Sequence, residues 1–154
     1  MNQNAYQKSI KLLAKKDYSH AKLTEKLLKF GFEELEIQET IQILVDKRFL
    51  NEDEYIRRKV LASLKRNYSN RYIIHKLESE SLCISSEIIN QVREEIKLTE
   101  HDQIKSLINK KLTLKNVDYQ SLKIKISTYL CSKGFDYYDF CDLLDKAIDD
   151  IRNN

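Results

Sequence analysis

The sequence predicts an all-α protein: three tandem three-helix repeats, about nine helices, stacked into an elongated, curved body. Three observations carry that expectation. The 154 residues include two glycines and no proline, too few turn formers for the hairpins of a strand-rich fold. Apolar residues recur at helical spacing along most of the chain. Aligning Leu27, Leu77 and Leu130 superposes three helix triplets of about fifty residues each, a period that marks helical arrays. A hydrophobic content of 42% beside a charged content of 33% fits a chain that buries a core.

The first repeat spans residues 1–50. Helix one follows Asn4, with Tyr6, Ile10 and Leu13 on one face. Helix two is capped by Ser19, whose side-chain oxygen can accept a free N–H of the first turn. Tyr18 and Leu23 flank that cap as a hydrophobic staple. Leu27 continues the stripe, and Gly31 ends the helix as a residue able to turn left-handed. Phe32 opens helix three, with Ile37, Ile41, Leu44 and Val45 inward.

The second repeat spans residues 51–98. Asn51 and Glu54 form a capping box for helix four, with Leu50 and Tyr55 as staple. Ile56, Val60 and Leu64 complete its apolar face. Helix five repeats the earlier signal: Tyr68 as staple, Ser69 as cap, Ile73 and Leu77 inward. Ser81 stands where Gly31 stands in the first repeat, and Leu82 where Phe32 stands. Helix six starts near Ser85 or Ser86 and uses Ile88, Ile89, Val92 and Ile96.

The third repeat spans residues 99–154. Helix seven follows Thr99, with Ile104, Leu107, Ile108 and Leu112 inside. Helix eight uses Tyr119, Leu122, Ile126, Tyr129 and Leu130, and stops at Gly134. Helix nine has Asp136 as cap, Phe135 and Phe140 as staple, then Leu143, Leu144, Ala147, Ile148 and Ile151. Staple and core positions absorb most aromatics, including Tyr18, Tyr55, Tyr68, Phe135 and Phe140. Tyr72, Tyr137 and Tyr138 are the ones that packing explains least.

Chemistry-bearing patterns are sparse. His20, His75 and His101 fall in different repeats, without Cys or carboxylate at metal-ligand spacing. There is no GxGxxG, GxxxxGK[ST] or GxSxG. The expectation is a protein that is not an enzyme and uses no cofactor. Cys83, Cys131 and Cys141 lack CxxC spacing and read as reduced thiols of a cytoplasmic protein, with Cys141 as a small core residue. No stretch reaches the length of a membrane span, and the N-terminal stretch reads as a first core helix rather than a targeting segment.

The net charge of +3 is modest, but its distribution is polarised. From Tyr55 to Leu77 the chain has no acid, while Asp136 to Asp150 carries six Asp against Lys146. Arg57, Arg58, Lys65, Arg66, Arg71, Tyr72 and Lys76 form the candidate binding group. An acid-free basic run is either a solvated face or a surface for phosphates or an acidic protein. If all seven cations from Arg57 to Lys76 met single-stranded phosphates, affinity would fall with salt at a log–log slope of about −5.

Four segments in order resemble the RecX regulators of the bacterial recombinase RecA. Phe49-Leu50-Asn51-Glu52-Asp53-Glu54-Tyr55 looks like the family's G-hydrophobic-[LI]-[DN]-[DE]-x-x-[YF] signature. Ser69 to Leu77 is similar to its Gly-Pro-x-x-Ile-x-x-x-Leu segment. Tyr129-Leu130-Cys131-Ser132-Lys133-Gly134-Phe135 resembles Phe-Leu-x-x-[RK]-Gly-Phe, and Leu27 to Phe32 is its first-repeat counterpart. The chain departs from the pattern at Ser69-Asn70 (for Gly-Pro), Lys59 (for an aromatic), Lys76 (for Glu) and Ser81 (for Gly). The resemblance implies a monomer that binds RecA or its filament on single-stranded DNA, restrains filament extension and activity, and so modulates recombinational repair and the SOS response. Weak direct DNA contact is compatible with it. From the residues alone, a direct DNA-binding helical protein and a scaffold for another protein partner stay open.

Overall fold

The computed structural model describes residues 4–112 and 118–152. The expected first and third repeats each extend into residues outside that range. The described residues form nine α-helices and no strand: α1 Ala5–Leu13, α2 His20–Lys29, α3 Glu34–Asp46, α4 Glu52–Lys65, α5 Asn70–Glu78, α6 Ser86–Ile96, α7 Glu100–Leu112, α8 Tyr119–Ser132 and α9 Tyr137–Arg152.

The helix starts follow local side-chain chemistry. Asn4, Ser19, Asn51, Ser69, Thr99 and Asp118 each accept a backbone N–H from the first turn of the helix they precede. Such a bond satisfies a donor that the helix itself cannot, worth about 1 kcal/mol. Thr99 and Asp102 close a full box, because the Asp102 carboxylate accepts from the Thr99 backbone in return. Three starts differ from expectation. The Glu54 carboxylate accepts from Arg58 at 3.2 Å. Asp136 is reached by Asp139, whose carboxylate accepts the Asp136 N–H at 2.7 Å, while its own carboxylate binds Arg71. α3 begins two residues after Phe32, with Glu33 at its cap and no side-chain bond there.

The threefold pattern is written most clearly at the ends of α2, α5 and α8. In each, a left-handed residue follows the helix: Gly31 at φ 83°, Ser81 at 62° and Gly134 at 91°. The next N–H then returns to the helix: Phe32 to the Leu27 carbonyl at 3.3 Å, Leu82 to Leu77 at 3.0 Å, Phe135 to Leu130 at 3.3 Å. The left-handed residue donates in turn to Leu28, Glu78 and Cys131. These paired bonds are the Schellman closure. Leu27, Leu77 and Leu130, aligned from sequence, thus occupy one geometric position in all three triplets.

The chain divides into two compact units, Met1–Lys59 with Leu77–Leu82, and Val60–Lys76 with Cys83–Asn154. The division runs through α4 and α5. In the first unit, Leu23, Leu27, Ile37, Leu44 and Leu50 form the core, flanked by Tyr6, Ile10, Tyr18 and Phe32. Glu80 lies at its edge with a side chain 13% exposed. It holds Lys22 at 2.7 Å and Lys59 at 3.6 Å, and accepts the Tyr55 hydroxyl at 3.1 Å. Burial would push its carboxyl up; the bonds from Lys22 and Tyr55 and the charge of Lys59 outweigh that and hold it below the usual range.

The second unit centres on α7, α8 and α9, where Ile104, Leu107, Ile108, Leu122, Ile126, Leu130, Phe135, Phe140, Leu144 and Ile148 are buried together. Each such side chain contributes roughly 1.5–3 kcal/mol by leaving water. Expected inward positions at two helix ends face out instead: Tyr119 is 42% exposed and Ile151 38%. Cys141 is half-buried, not in the core, with its sulfur beside the Tyr138 carbonyl and the Asp142 carboxylate. Tyr68 is also only half-buried, which returns it to the surface.

Candidate functional site

In the second unit the start of α5 is bonded directly to the α8–α9 turn. Ser69 caps α5 by accepting the Tyr72 N–H at 3.2 Å. The same hydroxyl donates to the Gly134 carbonyl at 2.7 Å, and the Ser69 N–H donates to the Lys133 carbonyl at 2.9 Å. The Arg71 guanidinium donates to the Gly134 carbonyl at 2.9 Å and to the Asp136 carboxylate. That pairing raises the guanidinium's pKa and lowers the carboxyl's. Gly134 lets the two segments close: a Cβ there would lie 2.6 Å from the Cβ of Tyr72.

Around this junction lies a row of alternating cations and rings. The Tyr68 and Tyr72 rings stack 4.0 Å apart and 8° from parallel, Tyr68 just before the Ser69 cap and Tyr72 in the first turn of α5. The Lys133 ammonium sits 4.1 Å from the Tyr68 centroid and donates to the Arg66 carbonyl at 3.2 Å. Lys76 approaches the same ring at 6.0 Å. Lys133 also lies 5.8 Å from Tyr129, over which Lys111 sits at 4.4 Å. A hydrogen bond from Tyr72 and the charge of Lys133 draw the Tyr68 hydroxyl below its ordinary pKa. Burial and the bond to Tyr68 push Tyr72 up.

Behind the row, a buried polar network fixes the start of α5. Arg93, 7% exposed, donates from Nε to Asn70 at 2.8 Å, and from its terminal nitrogens to Gln103 at 2.7 Å and the Leu98 carbonyl at 3.3 Å. Gln103, fully buried, passes the chain on to the Leu64 carbonyl at 3.0 Å. Glu100 approaches Arg93 at 3.6 Å. Burial lowers the Arg93 pKa, although the group stays a cation.

Of the residues predicted from sequence, Lys65, Arg66, Arg71, Tyr72 and Lys76 belong to this unit. Lys65, Arg66 and Arg71 are exposed, and Tyr72 and Lys76 half-buried. Arg57 and Arg58 belong to the first unit, both exposed. There Arg58 pairs with Asp17 and Glu54, each at 3.2 Å. Sequence reasoning missed Lys133, read only as part of a turn motif, and set Tyr68 aside as core. The spacing of Tyr68 and Tyr72 was the available signal. No signal at short range linked Lys133 to α5.

Half-buried lysines next to tyrosine faces can neutralise phosphates, and the rings offer surfaces on which bases stack. The lysines also cover the rings in the unbound molecule, an attraction of about 0.5–1 kcal/mol each. Among the described residues, no three His, Cys, Asp or Glu side chains converge to hold a metal ion. No described helix is long and apolar enough to cross a membrane.

Residues 5–44, spanning α1, α2 and most of α3, match the model of the RecX first three-helix domain. Over 145 residues the chain is 26% identical to "Regulatory protein RecX" of Haemophilus influenzae strain PittEE, and 25% to that of strain ATCC 51907 / DSM 11121 / KW20 / Rd. Each alignment covers 94% of this chain and 95% of the relative. The crystal structure of RecX from Lactobacillus salivarius superposes with a TM-score of 0.71 at 22% identity, over 94% of both chains, and supports the fold. Three helix triplets with a shared closure, a matched first triplet and near full-length likeness to regulatory proteins of that name converge on one similarity: the chain resembles the RecX family.

Proposed function

We propose that this protein is a non-catalytic regulator of RecA, binding RecA or its filament on single-stranded DNA and restraining filament extension. Through that action it moderates recombinational repair and the SOS response. The supporting observation is likeness to proteins named regulatory protein RecX across 94% of this chain and 95% of theirs, with the family's action on RecA as the implied role. The contact group is Arg57, Arg58, Lys65, Arg66, Arg71, Tyr72 and Lys76, to which the position of Lys133 over Tyr68 adds an eighth member. Arg71 serves it indirectly, since its guanidinium is engaged with Asp136 and Gly134. The working species is a monomer of the cytoplasm.

The test is RecA ATPase on single-stranded DNA with this protein titrated in. Inhibition well below one molecule per RecA monomer is expected, because a block to extension acts at filament ends. Unchanged ATPase up to equal concentrations sinks the proposal.

The row of Lys111, Tyr129, Lys133, Tyr68 and Tyr72 favours a second reading, direct binding of single-stranded DNA without RecA. Affinity would then fall with salt at about −0.7 log unit per phosphate engaged. A slope near zero in fluorescence titrations on an oligonucleotide removes that reading and leaves the first intact.

A further inference from the structure

α7 and α9 of the second unit leave a groove between them of about 420 Å³ that the basic row does not use. Its apolar lining comes from Ile108 of α7 and from Leu143 and Ala147 of α9, its positive groups are Lys105 and Lys146, and His101 adds a polar edge. Ile108 is buried in the core, while Leu143 and Ala147 are only partly covered. The volume falls in the range of ligand sites, about 300–1,000 Å³, and accommodates a Leu or Phe side chain with a turn of the peptide that carries it.

The charge around the groove runs against that of its own helix. Between Asp136 and Asp150, α9 and its cap carry six Asp and a single cation, Lys146. That cation lines the groove, and of the six Asp only Asp150 does. Asp136 and Asp145 are engaged elsewhere, by Arg71 and Lys123. From α7 the groove receives His101 and Lys105, which draw on Asp102, an acid held in the Thr99 cap. The groove is thus a local basic site, with apolar surface inside it, on an otherwise acidic helix.

We propose that the α7–α9 groove docks an acidic protein segment carrying a large apolar side chain. The apolar residue enters against Ile108, Leu143 and Ala147, and flanking carboxylates meet Lys105 and Lys146. This is the helix-in-groove mode of recognition, with anchors supplying affinity and the charges orienting the peptide. The inference stands apart from the RecA reading, and either can fail alone.

The experiment uses the full chain labelled with 15N and three short synthetic peptides. One alternates Glu and Ala with a central Phe, the second has Gly for that Phe, and the third has Lys for every Glu. The Glu peptide with Phe should shift the backbone signals of Lys105, Ile108, Leu143 and Ala147 saturably. Replacing Phe by Gly should weaken binding at least about tenfold, and the Lys peptide should not bind. Lys105→Glu with Lys146→Glu should abolish the shifts while the circular dichroism stays unchanged. Should that variant unfold, the map on the unaltered chain decides alone. Absence of saturable shifts, shifts confined to the Arg57–Lys76 segment, or equal binding of the Phe and Gly peptides would overturn the proposal.

Discussion

A methyl group added at Gly134 would meet the Ser69 hydroxyl and the Tyr72 Cβ, whereas at Gly31 it would meet nothing within 4 Å. Both glycines are left-handed, so both substitutions carry the backbone cost of about 1 kcal/mol. Gly134→Ala adds overpacking of about 1–3 kcal/mol and should part the Ser69 and Arg71 bonds. Urea denaturation of the two Ala variants should therefore separate them clearly; equal losses would mean that the junction yields freely. Ser81 sits in the same closure with a Cβ to accommodate, at φ 62°. Ser81→Gly is expected to stabilise by roughly 0.5 kcal/mol, strain relief exceeding the added freedom of the unfolded chain, visible as a higher Tm. The Gly31–Ser81–Gly134 equivalence was legible in the sequence because helix ends are written in local residues. The difference in surroundings was not, since Ser69 and Gly134 lie far apart along the chain and meet only once it is folded.

At the scale of the element, Arg93 is the residue that sequence patterning hides. It falls in α6 among Ile89 and Val92 on the buried side of the helix, and reads like any exposed cation until Asn70 and Gln103 are seen to hold it. Arg93→Met keeps the volume but strands the buried Gln103 amide, at a cost of about 1–3 kcal/mol, and frees the half-buried Asn70. A fall in stability beyond about 2 kcal/mol is expected in urea, partly recovered when Gln103→Leu is added; no recovery would mean that the two do not act as one network. Glu80 is the corresponding device of the first unit. Its carboxyl is depressed when folded, so its stabilisation is complete above the ordinary carboxylate pKa and is lost as pH falls through the lower folded value. The stability gap between the native protein and Glu80→Gln should thus be widest near neutral pH and close on acidification. A gap that persists at the lowest pH would assign Glu80 to packing alone. The caps Ser19, Asn51 and Ser69 were legible because each spans four residues; Glu80 with Lys22 and Tyr55 joins three separate helices or turns, and no periodicity encodes it.

For the whole molecule, the proposed regulation of RecA depends on cations that can be removed without loosening the fold. Lys65 and Arg66 are exposed at the end of α4. Lys65→Glu with Arg66→Glu should weaken inhibition of RecA ATPase several-fold while leaving Tm within about 2 °C, as surface changes usually do. Arg71→Glu should instead lower both, because it opposes Asp136. Inhibition unaltered by the double variant would move the contact group away from α4. The all-α class and the threefold period were open to view in the sequence, being repeated local patterns. The division into compact units was not, because it follows contacts rather than the period and cuts through α4 and α5. That cut has a consequence during protein synthesis. The first unit comprises Leu77–Leu82 as well as the chain up to Lys59. A nascent chain that has released only its first triplet from the ribosomal exit tunnel still lacks the carboxylate that gathers Lys22, Tyr55 and Lys59. The contacts of Glu80 with Lys22, Tyr55 and Lys59 can form only once Glu80 has emerged, by which time the basic residues from Arg57 to Lys76 are already outside.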